Sequence, residues 1–545
     1  MKNSLRLLAT ISASSIVILT TSCSRNDDVI SSPVNSSGQV AATTNNAVTL
    51  YAAARFADQV SFGPTPTLVA EIQSKGFSQW IDDQFALPVS KVDPSPYAVY
   101  DPVFDKALDQ SAWPYSQNQY LSAMVGSKDQ LRRRVSWALS QFVTVSGAKI
   151  LPYGGMQYSN FLQEQAFGNY GTFLRAMSVN PSMGVMLDNN VNRPRSDSCI
   201  GCAPSENFAR ELLQLFSIGL VKLKADGTIE RDASGKPIES YTQNDVTQLA
   251  AALTGWGTAP RKRNDWTFHD EPMRMETWNG ARDFSEKKIL GVTFPAGNAA
   301  DKELDQVISI LMQHQNIAPF ISLRLIQHLV TSNPSPEYIS RISALFRNNG
   351  KGVVGDMKTV IKAILLDPEA RLGDKQASLQ NGFGKIREPV LFYTALLRGL
   401  DCTKAIYPDA AYVIKPEIQL PYQADSVFSY YQPNDRAPGS NLLAPEQRLL
   451  TAPELSGRFY GYALGENVNA ISGGCDVSPF ARAFSTPENF AELVNQRYFR
   501  GAMPPQLRQS IIDMAPTIWG NDSNQKAVNL LAFALATSPN FGVIQ

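Results

Sequence analysis

Residues 187–220 read L-D-N-N-V-N-R-P-R-S-D-S-C-I-G-C-A-P-S-E-N-F-A-R-E-L-L-Q-L-F-S-I-G-L. The stretch holds the closely spaced pair Cys199 and Cys202, followed by one of the clearest helical patterns in the chain. From Ser205 onward, apolar residues recur at spacings of three and four, which predicts an amphipathic helix. Ser205 is suited to cap its start and Gly219 to end it. We therefore expect this stretch to lie at the centre of a helical fold.

The polar face of this helix carries Asn207, Arg210 and Glu211, which are not the usual surface mixture of lysine and glutamate. Asp188 and Asn192 lie just upstream. The simplest interpretation is an ordinary stripe that faces water. The alternative is a partly buried polar cluster, in which each group must be hydrogen-bonded to offset the loss of water.

Two sets of candidate site residues follow from this alternative. The candidate catalytic residues are Asp188, Glu206, Arg210, Glu211 and Asp245. No cofactor is predicted, but Ca²⁺ or Mg²⁺ would suit the oxygen donors Asp188, Asn192, Asn207 and Glu211. The competing interpretation is structural: Glu206 and Arg210 form an ion pair one helical turn apart, and the asparagines cap loops.

Composition limits the partners and the architecture. The 545 residues contain 49 Lys plus Arg and 49 Asp plus Glu, so the net charge is zero and no nucleic-acid partner is indicated. The run 132–134, three arginines, is predicted to be salt-bridged surface. A chain of this length exceeds one compact core, so we expect two lobes.

The N-terminus is typical of an exported lipoprotein. Residues 1–22 combine Lys2 and Arg6 with an apolar run too short to span a membrane comfortably, as in a signal peptide. Ser22-Cys23 is similar to a lipobox, although Thr20 stands where leucine is preferred. Lipidation of Cys23 would anchor the chain in a membrane. The alternative is cleavage as a plain secreted protein.

The segment after the lipidated cysteine points to the place of anchoring. Residues 23–46 are rich in Ser, Asn and Thr, which predicts a disordered tether. Ser24 rather than aspartate follows the cysteine, which by resemblance indicates the outer membrane of the cell envelope.

Four further cysteines suggest disulfides in an exported protein. We favour the pairs Cys199–Cys202 and Cys402–Cys475 among three possible pairings. Metal binding by the C-I-G-C pair is the runner-up, although the sequence near it offers neither a second pair nor a histidine.

The remaining pattern predicts an all-α, multi-helix globular body over residues 47–545, with a lobe boundary near 257–300. A minor β-hairpin with an Asp-Gly turn is predicted over 221–230. A long irregular insertion over 257–300 contains His269-Asp270, where a general base is conceivable. Helices are predicted near 51–60, 65–75, 77–85, 128–145, 158–167, 171–178, 205–219, 241–256, 301–313, 317–330, 336–346, 357–366, 389–400, 453–464, 487–495, 505–514 and 524–536.

These landmarks resemble a bacterial family called domain of unknown function 1800. The resemblance runs from about residue 53 to the C-terminus and rests on ordered motifs: R55-F-A-D-Q-V-S-F-G-P-T-P, R133-R-V-S-W-A-L-S-Q-F-V, L187-D-N-N-V-N, N207-F-A-R-E-L-L-Q-L-F-S-I-G, Y241-T-Q-N-D-V, A252-L-T-G-W, H314-Q-N-I-A-P-F and G384-K-I-R-E-P-V. Such proteins usually carry a His-Asp pair where this chain has Arg282-Asp283. The resemblance implies an exported bacterial protein with a helical fold, and no established activity.

Two functions remain open at this point. The sequence lacks the common hydrolase elbow, the zinc-protease helix motif and the nucleotide-binding loops, and its three histidines make a histidine-rich zinc site improbable. The first hypothesis is an envelope lipoprotein that binds or assembles with another secreted or envelope protein. The alternative is a secreted hydrolase that uses the acidic cluster, assisted by a divalent metal.

Overall fold

Helices form most of the chain, as the sequence predicted. The computed structural model describes residues 48–98, 105–195, 203–260, 265–278, 280–378, 382–403, 418–463 and 475–545. The helices that match predicted segments are Leu50–Val60, Pro66–Lys75, Phe77–Ala86, Gln130–Ser140, Pro152–Gln165, Tyr170–Ser178, Glu206–Gln214, Gln243–Ala252, Ala300–Gln313, Ile317–Leu329, Pro336–Arg347, Met357–Leu366, Pro389–Gly399, Ala452–Ala463, Pro487–Tyr498, Pro505–Met514 and Ser523–Ala536.

Several helices were not predicted. They are the α-helices Asp105–Gly126, Pro181–Met186, Pro368–Leu372 and Ser478–Ala483, and the 3-10 turns Ser95–Tyr97, Thr267–His269, Gln376–Ser378 and Pro445–Leu449. The longest of them contains Pro114, and a proline inside a pattern argues against a helix when only the sequence is read.

The helix ends follow local chemistry. The Thr65 side chain accepts from the Leu68 N–H, Pro66 occupies the first helical position, and the helix ends at Gly76 with a φ of 75°. Ser205 stands at the N-cap position, but its side chain makes no capping bond. Its backbone N–H instead donates to Asn192 Oδ1 at 2.7 Å.

Strands are short and antiparallel. The predicted hairpin is present: Leu223 faces Ile229 across a turn in which Gly227 has a φ of 77°. Three two-stranded sheets add to it, pairing Trp256–Gly257 with Arg274–Met275, Lys287–Ile289 with Val292–Phe294, and Lys385–Ile386 with Val543–Ile544. The described residues of the insertion 257–300 are otherwise mostly irregular, as expected.

Residues 47–545 group as one unit, in which buried apolar side chains form two clusters. The first cluster draws on residues 53–370, and the second mainly on residues 390–544 with 120–125 and Trp137. Residues before, within and after 257–300 belong to the first cluster. The lobe boundary expected near 257–300 stays a prediction.

The arginine run 132–134 is buried, so the prediction that it lies on the surface is wrong, although Arg132 and Arg133 do pair with Asp129 at 4.0 and 3.7 Å. The Arg134 guanidinium donates to the His328 carbonyl at 2.7 Å, and the Arg132 guanidinium lies 4.4 Å from the centroid of the Phe167 ring. The helix Gln130–Ser140 packs against other helices on several sides. Its polar side chains are therefore enclosed by partners that are distant in sequence.

Buried charges form a second unexpected feature. Lys385 Nζ lies 2.9 Å from Glu388 Oε1 and 3.3 Å from Glu446 Oε1, and all three side chains are within 2% of full burial. Burial opposes ionisation of Glu388, but the positive charges of Lys385 and Arg134 outweigh it and lower the pKa of Glu388 to about 2. This ion cluster is a fixed part of the interior.

A second buried ion cluster joins distant parts of the chain. Asp58, in the first helix, accepts from Arg387 at 3.0 Å and from Arg500 at 2.6 Å. Both arginines and the carboxylate are buried. The motif residues of the resemblance therefore supply much of the buried charge.

Cys402 and Cys475 form the predicted disulfide. The predicted pair Cys199–Cys202 lies outside the described residues, as do the signal peptide 1–22, the lipidated Cys23 and the tether 23–46. Within the described ranges, we find no helix that is both long and apolar enough to span a membrane.

Candidate functional site

Asp188 and Asn207, from the central stretch, meet at the surface. Asn207 Nδ2 donates to Asp188 Oδ2 at 2.6 Å, and Lys149 Nζ pairs with Asp188 Oδ1 at 2.8 Å. The side chain of Asp188 is 48% exposed. Its carboxylate is thus neutralised by an ordinary surface ion pair.

Asn192 is a structural residue. Its Oδ1 accepts the Ser205 N–H, and its Nδ2 donates to the Ala250 carbonyl at 3.3 Å. These bonds tie the start of the helix Glu206–Gln214 to the helix Gln243–Ala252. The amide is therefore committed to holding two helices together.

Glu206 and Arg210 form the predicted ion pair one turn apart, at 2.9 Å. Glu206 also accepts from Thr247 Oγ1 at 2.7 Å and from Gln243 Nε2 at 2.8 Å. The bond from Thr247, with those from Gln243 and Arg210, lowers the pKa of Glu206. This group is a partly exposed link between two helices.

Glu211 differs from its neighbours because it is only 9% exposed. Its Oε2 and the hydroxyl of Tyr241 are both buried, and neither has a hydrogen-bond partner among the residues that the structure describes. Burial raises the pKa of Glu211, and the nearby charge of Arg210 only partly opposes this. An ionised Glu211 is therefore unfavourable in the folded state.

Asp245 acts at a helix start and a turn. Its Oδ2 accepts from the backbone and hydroxyl of Thr242 in a capping box, and its Oδ1 accepts the Leu290 N–H at 2.7 Å. Both oxygens are occupied by structural donors.

The central residues therefore lie in several separate contacts and do not converge on one point. In the described ranges we find no group of three or more His, Cys, Asp or Glu side chains placed to hold a metal ion. The proposed ligands Asp188 and Asn207 are bonded to each other, and the Asn192 oxygen is bonded to Ser205. A Ca²⁺ or Mg²⁺ ion would have to displace these bonds.

The loop 188–192 has a different role, which is to hold the strand Trp256–Gly257. Asp188 and Val191 have left-handed backbones, with φ of 58° and 60°, and a β-branched residue rarely adopts this conformation. The Val191 N–H donates to the Trp256 carbonyl at 2.8 Å, and the Gly255 N–H donates to the Asn192 carbonyl at 2.9 Å. These bonds fix the strand Trp256–Gly257 in place.

Trp256 of that strand lines a cleft of about 770 Å³. The helices Pro152–Gln165 and Tyr170–Ser178 and residues 269–275 of the insertion contribute further lining residues. The lining mixes apolar side chains with charges of both signs. A cleft of this size, with convergent polar groups, is the usual form of a ligand site.

The cations of the cleft are already paired. Lys91 pairs with Glu164, and Arg274 pairs with Glu271. Arg175 lies 2.9 Å from Asp301 and also bonds Asp305 at 2.6 Å.

Asp270 lies in the same cleft with neutral partners. Its Oδ1 accepts from the hydroxyl of Tyr153 and from the amide of Gln157. Burial, together with the bond to Asp270, raises the pKa of Tyr153 to about 12, so its phenol remains a proton donor.

His269, beside it, is buried against the helix Pro152–Gln165. Its Nδ1 lies 2.9 Å from Ser182 Oγ, and the Ser182 hydroxyl donates to the Gly154 carbonyl at 2.9 Å. Because Ser182 has only one hydroxyl proton, the His269 Nδ1–H is the donor to Ser182. The imidazole anchors the turn that presents Asp270 to the cleft.

Two glycines allow residues of the insertion to pack closely against the helices Pro152–Gln165 and Pro181–Met186. A Cβ at Gly154 would lie 2.6 Å from the His269 ring, and one at Gly184 would lie 2.4 Å from Met273 Sδ. Glycine is unfavourable inside a helix, so its presence there signals a close approach. No helix was predicted at Gly154 or Gly184, so this signal became visible only in the structure.

Arg282, at the place where a histidine was expected from the resemblance, is buried and structural. Its Nη2 lies 2.6 Å from Glu303 Oε2, and its Nη1 donates to the carbonyls of Ala252 and Thr254. Lys287 lies 3.3 Å from the same glutamate. The position serves a buried ion cluster in this chain.

Together, the fold and the cleft define a mostly helical protein with one long irregular insertion that builds a candidate ligand site. The chain belongs to the family described as "Protein of unknown function (DUF1800)", which matches residues 55–543. Comparison with curated proteins and with solved structures gave no match.

Proposed function

We propose that this protein is a lipid-anchored component of the bacterial cell envelope, at the outer membrane, that binds another exported or envelope component. The cleft of about 770 Å³ carries the proposal, because it gathers polar and apolar side chains around a cavity large enough for a ligand. The signal-like N-terminus, Cys23 and the polar tether support the location.

The geometry supports binding more than the hydrolase that would use the acidic cluster. Asp188, Glu206 and Asp245 are engaged by separate structural donors. The buried Oε2 of Glu211 has no hydrogen-bond partner among the described residues, and Tyr241 is its neighbour. A metal-assisted reaction needs its ligands on one point, and these side chains do not share one.

Photo-crosslinking in cells tests the proposal. A photoreactive amino acid replaces Gln165, which lines the cleft, or Gln509, which is exposed on the helix Pro505–Met514. The proposal expects an adduct with an exported component from position 165 and none from position 509. The same adducts from both positions, or no adduct from position 165, would contradict it.

A further inference from the structure

We infer that the cleft takes a ligand with a cationic group, a primary ammonium or a guanidinium, and that Asp270 is its counter-ion. The inference rests on the proposed binding function and names the ligand class. It follows from how charge is distributed over the described lining residues.

The charges of the cleft are balanced except at one position. Each of the cations Lys91, Arg175 and Arg274 has a carboxylate partner within the cleft. Among the carboxylates that the structure describes there, Asp270 is the one whose contacts are all with neutral donors. An anionic ligand would have to break an existing ion pair, whereas a cation at Asp270 would complete one.

Asp270 is also held ready for such a partner. Tyr153 and Gln157 both donate to Oδ1 and fix the orientation of the carboxylate. Within the described part of the chain, Oδ2 receives no hydrogen bond. A charge-assisted bond to a fixed acceptor loses little side-chain entropy, and such bonds are stronger than neutral ones.

The apolar lining of the cleft suits the stem of an amine. Phe161, which is half-buried, lines the cleft together with Trp256 and Met273, which are almost fully buried. An alkyl chain with a terminal cation buries its stem on such surface and presents its charge to a carboxylate. The cation source is either a free amine or a lysine or arginine side chain of a protein, since both present this chemistry.

Calorimetry on the purified full-length protein at pH 7 tests the inference with four probes. They are hexylammonium, agmatine, hexanoate and hexanol. Hexylammonium and agmatine are expected to bind about tenfold or more tightly than hexanoate and hexanol. Equal binding of hexylammonium and hexanoate, or no binding of either amine, would overturn the inference.

Variants locate the binding group. Asp270→Asn keeps an oxygen that can accept from Tyr153 and Gln157 but removes the charge, and it should weaken amine binding about tenfold. Asp82→Asn is the matched control, because Asp82 pairs with Lys362 outside the cleft lining; its effect should stay within about twofold. Unchanged amine binding in a folded Asp270→Asn variant would overturn the assignment.

A further measurement distinguishes a free amine from a protein side chain as the ligand. It also separates the failure of this inference from the failure of the proposed function. Tighter binding of a blocked Gly-Gly-Lys-Gly-Gly peptide than of agmatine indicates a protein side chain, and the reverse indicates a free amine. A crosslink from position 165 without any amine binding would remove this inference and leave the proposed function standing. Amine binding that depends on Asp270, without a cleft-specific crosslink, would remove the proposed function and leave the cation site at Asp270 standing.

Discussion

Gly154 lies directly against the imidazole of His269. A Cβ at this glycine would fall 2.6 Å from Cε1 and 2.7 Å from Nε2 of the ring. The helix Pro152–Gln165 and the insertion therefore meet at a contact that tolerates no side chain. The position of Asp270, the next residue, depends on this contact.

Gly154→Ala is expected to displace His269 and lower the free energy of unfolding by about 1–3 kcal/mol. Limited proteolysis should cut faster within 265–278, and amine binding should fall. Gly457→Ala is the matched control in another helix, because a Cβ there meets nothing within 4 Å. It should be neutral or stabilising by about 1 kcal/mol. Equal stability of the two variants would contradict the prediction.

Lys385→Met should lower the free energy of unfolding by about 3–5 kcal/mol, because Glu388 and Glu446 would stay buried without their shared cation. Urea unfolding measures the change. Lys362→Met removes a lysine from a partly exposed pair with Asp82 and should cost less than about 1 kcal/mol. A Lys385 variant as stable as the Lys362 variant would show that the cluster is unimportant for stability.

Glu211→Gln should change how stability depends on pH. Burial raises the pKa of Glu211 in the folded state, so the unfolded chain loses its proton first as pH rises. Wild-type stability therefore falls from the ordinary glutamate pKa of about 4.3 upward, until the folded pKa is passed. The glutamine variant lacks this loss, so its stability relative to the wild type should rise as the pH is raised from 4 to 8.

Glu206→Gln, on the same helix, is the control of opposite sign. Hydrogen bonds from Thr247, Gln243 and Arg210 lower the pKa of Glu206, so its contribution is present above the unfolded pKa and is lost as pH falls. This variant should lose stability relative to the wild type at pH 8. The same pH trend in both variants would contradict the assignment of Glu211 as buried and unpaired.

Replacing Cys402 and Cys475 together by serine should lower the free energy of unfolding by about 3–5 kcal/mol. The disulfide closes a sequence separation of 73 residues, and its loss frees a long loop in the unfolded chain. Cys199→Ser with Cys202→Ser should cost less, because that predicted pair closes a very short loop. The opposite order of the two costs would refute the prediction.

Cys23 is expected to carry lipid. Cells grown with a clickable fatty acid should label the wild type and leave Cys23→Ala unlabelled. The variant should also leave the membrane fraction. Equal labelling of the two proteins would argue for cleavage as a plain secreted protein.

Local sequence signals predicted most helices and few of the contacts that matter at the cleft. Thr65 and Gly76 mark the ends of a helix because caps and stops act within a few residues. The buried state of Arg134 could not be predicted in this way, since its acceptor His328 lies 194 residues further along the chain.

The cleft escaped prediction for the same reason. Tyr153 and Asp270 are 117 residues apart, and Ser182 and His269 are 87 residues apart. The candidate residues of the central stretch were chosen because they lie close in sequence. Proximity along the chain correctly paired Glu206 with Arg210, but it could not show that Asp245 is committed to a turn.

The bond between Asp58 and Arg500 bears on how the protein acquires its fold. The two residues are separated by 442 positions. At ordinary synthesis speeds, Asp58 leaves the ribosome about 20–90 s before its partner exists. Asp58 therefore has no Arg500 to pair with until most of the chain has been made. This buried ion pair is a late, long-range step of folding, and it cannot form during the first part of synthesis.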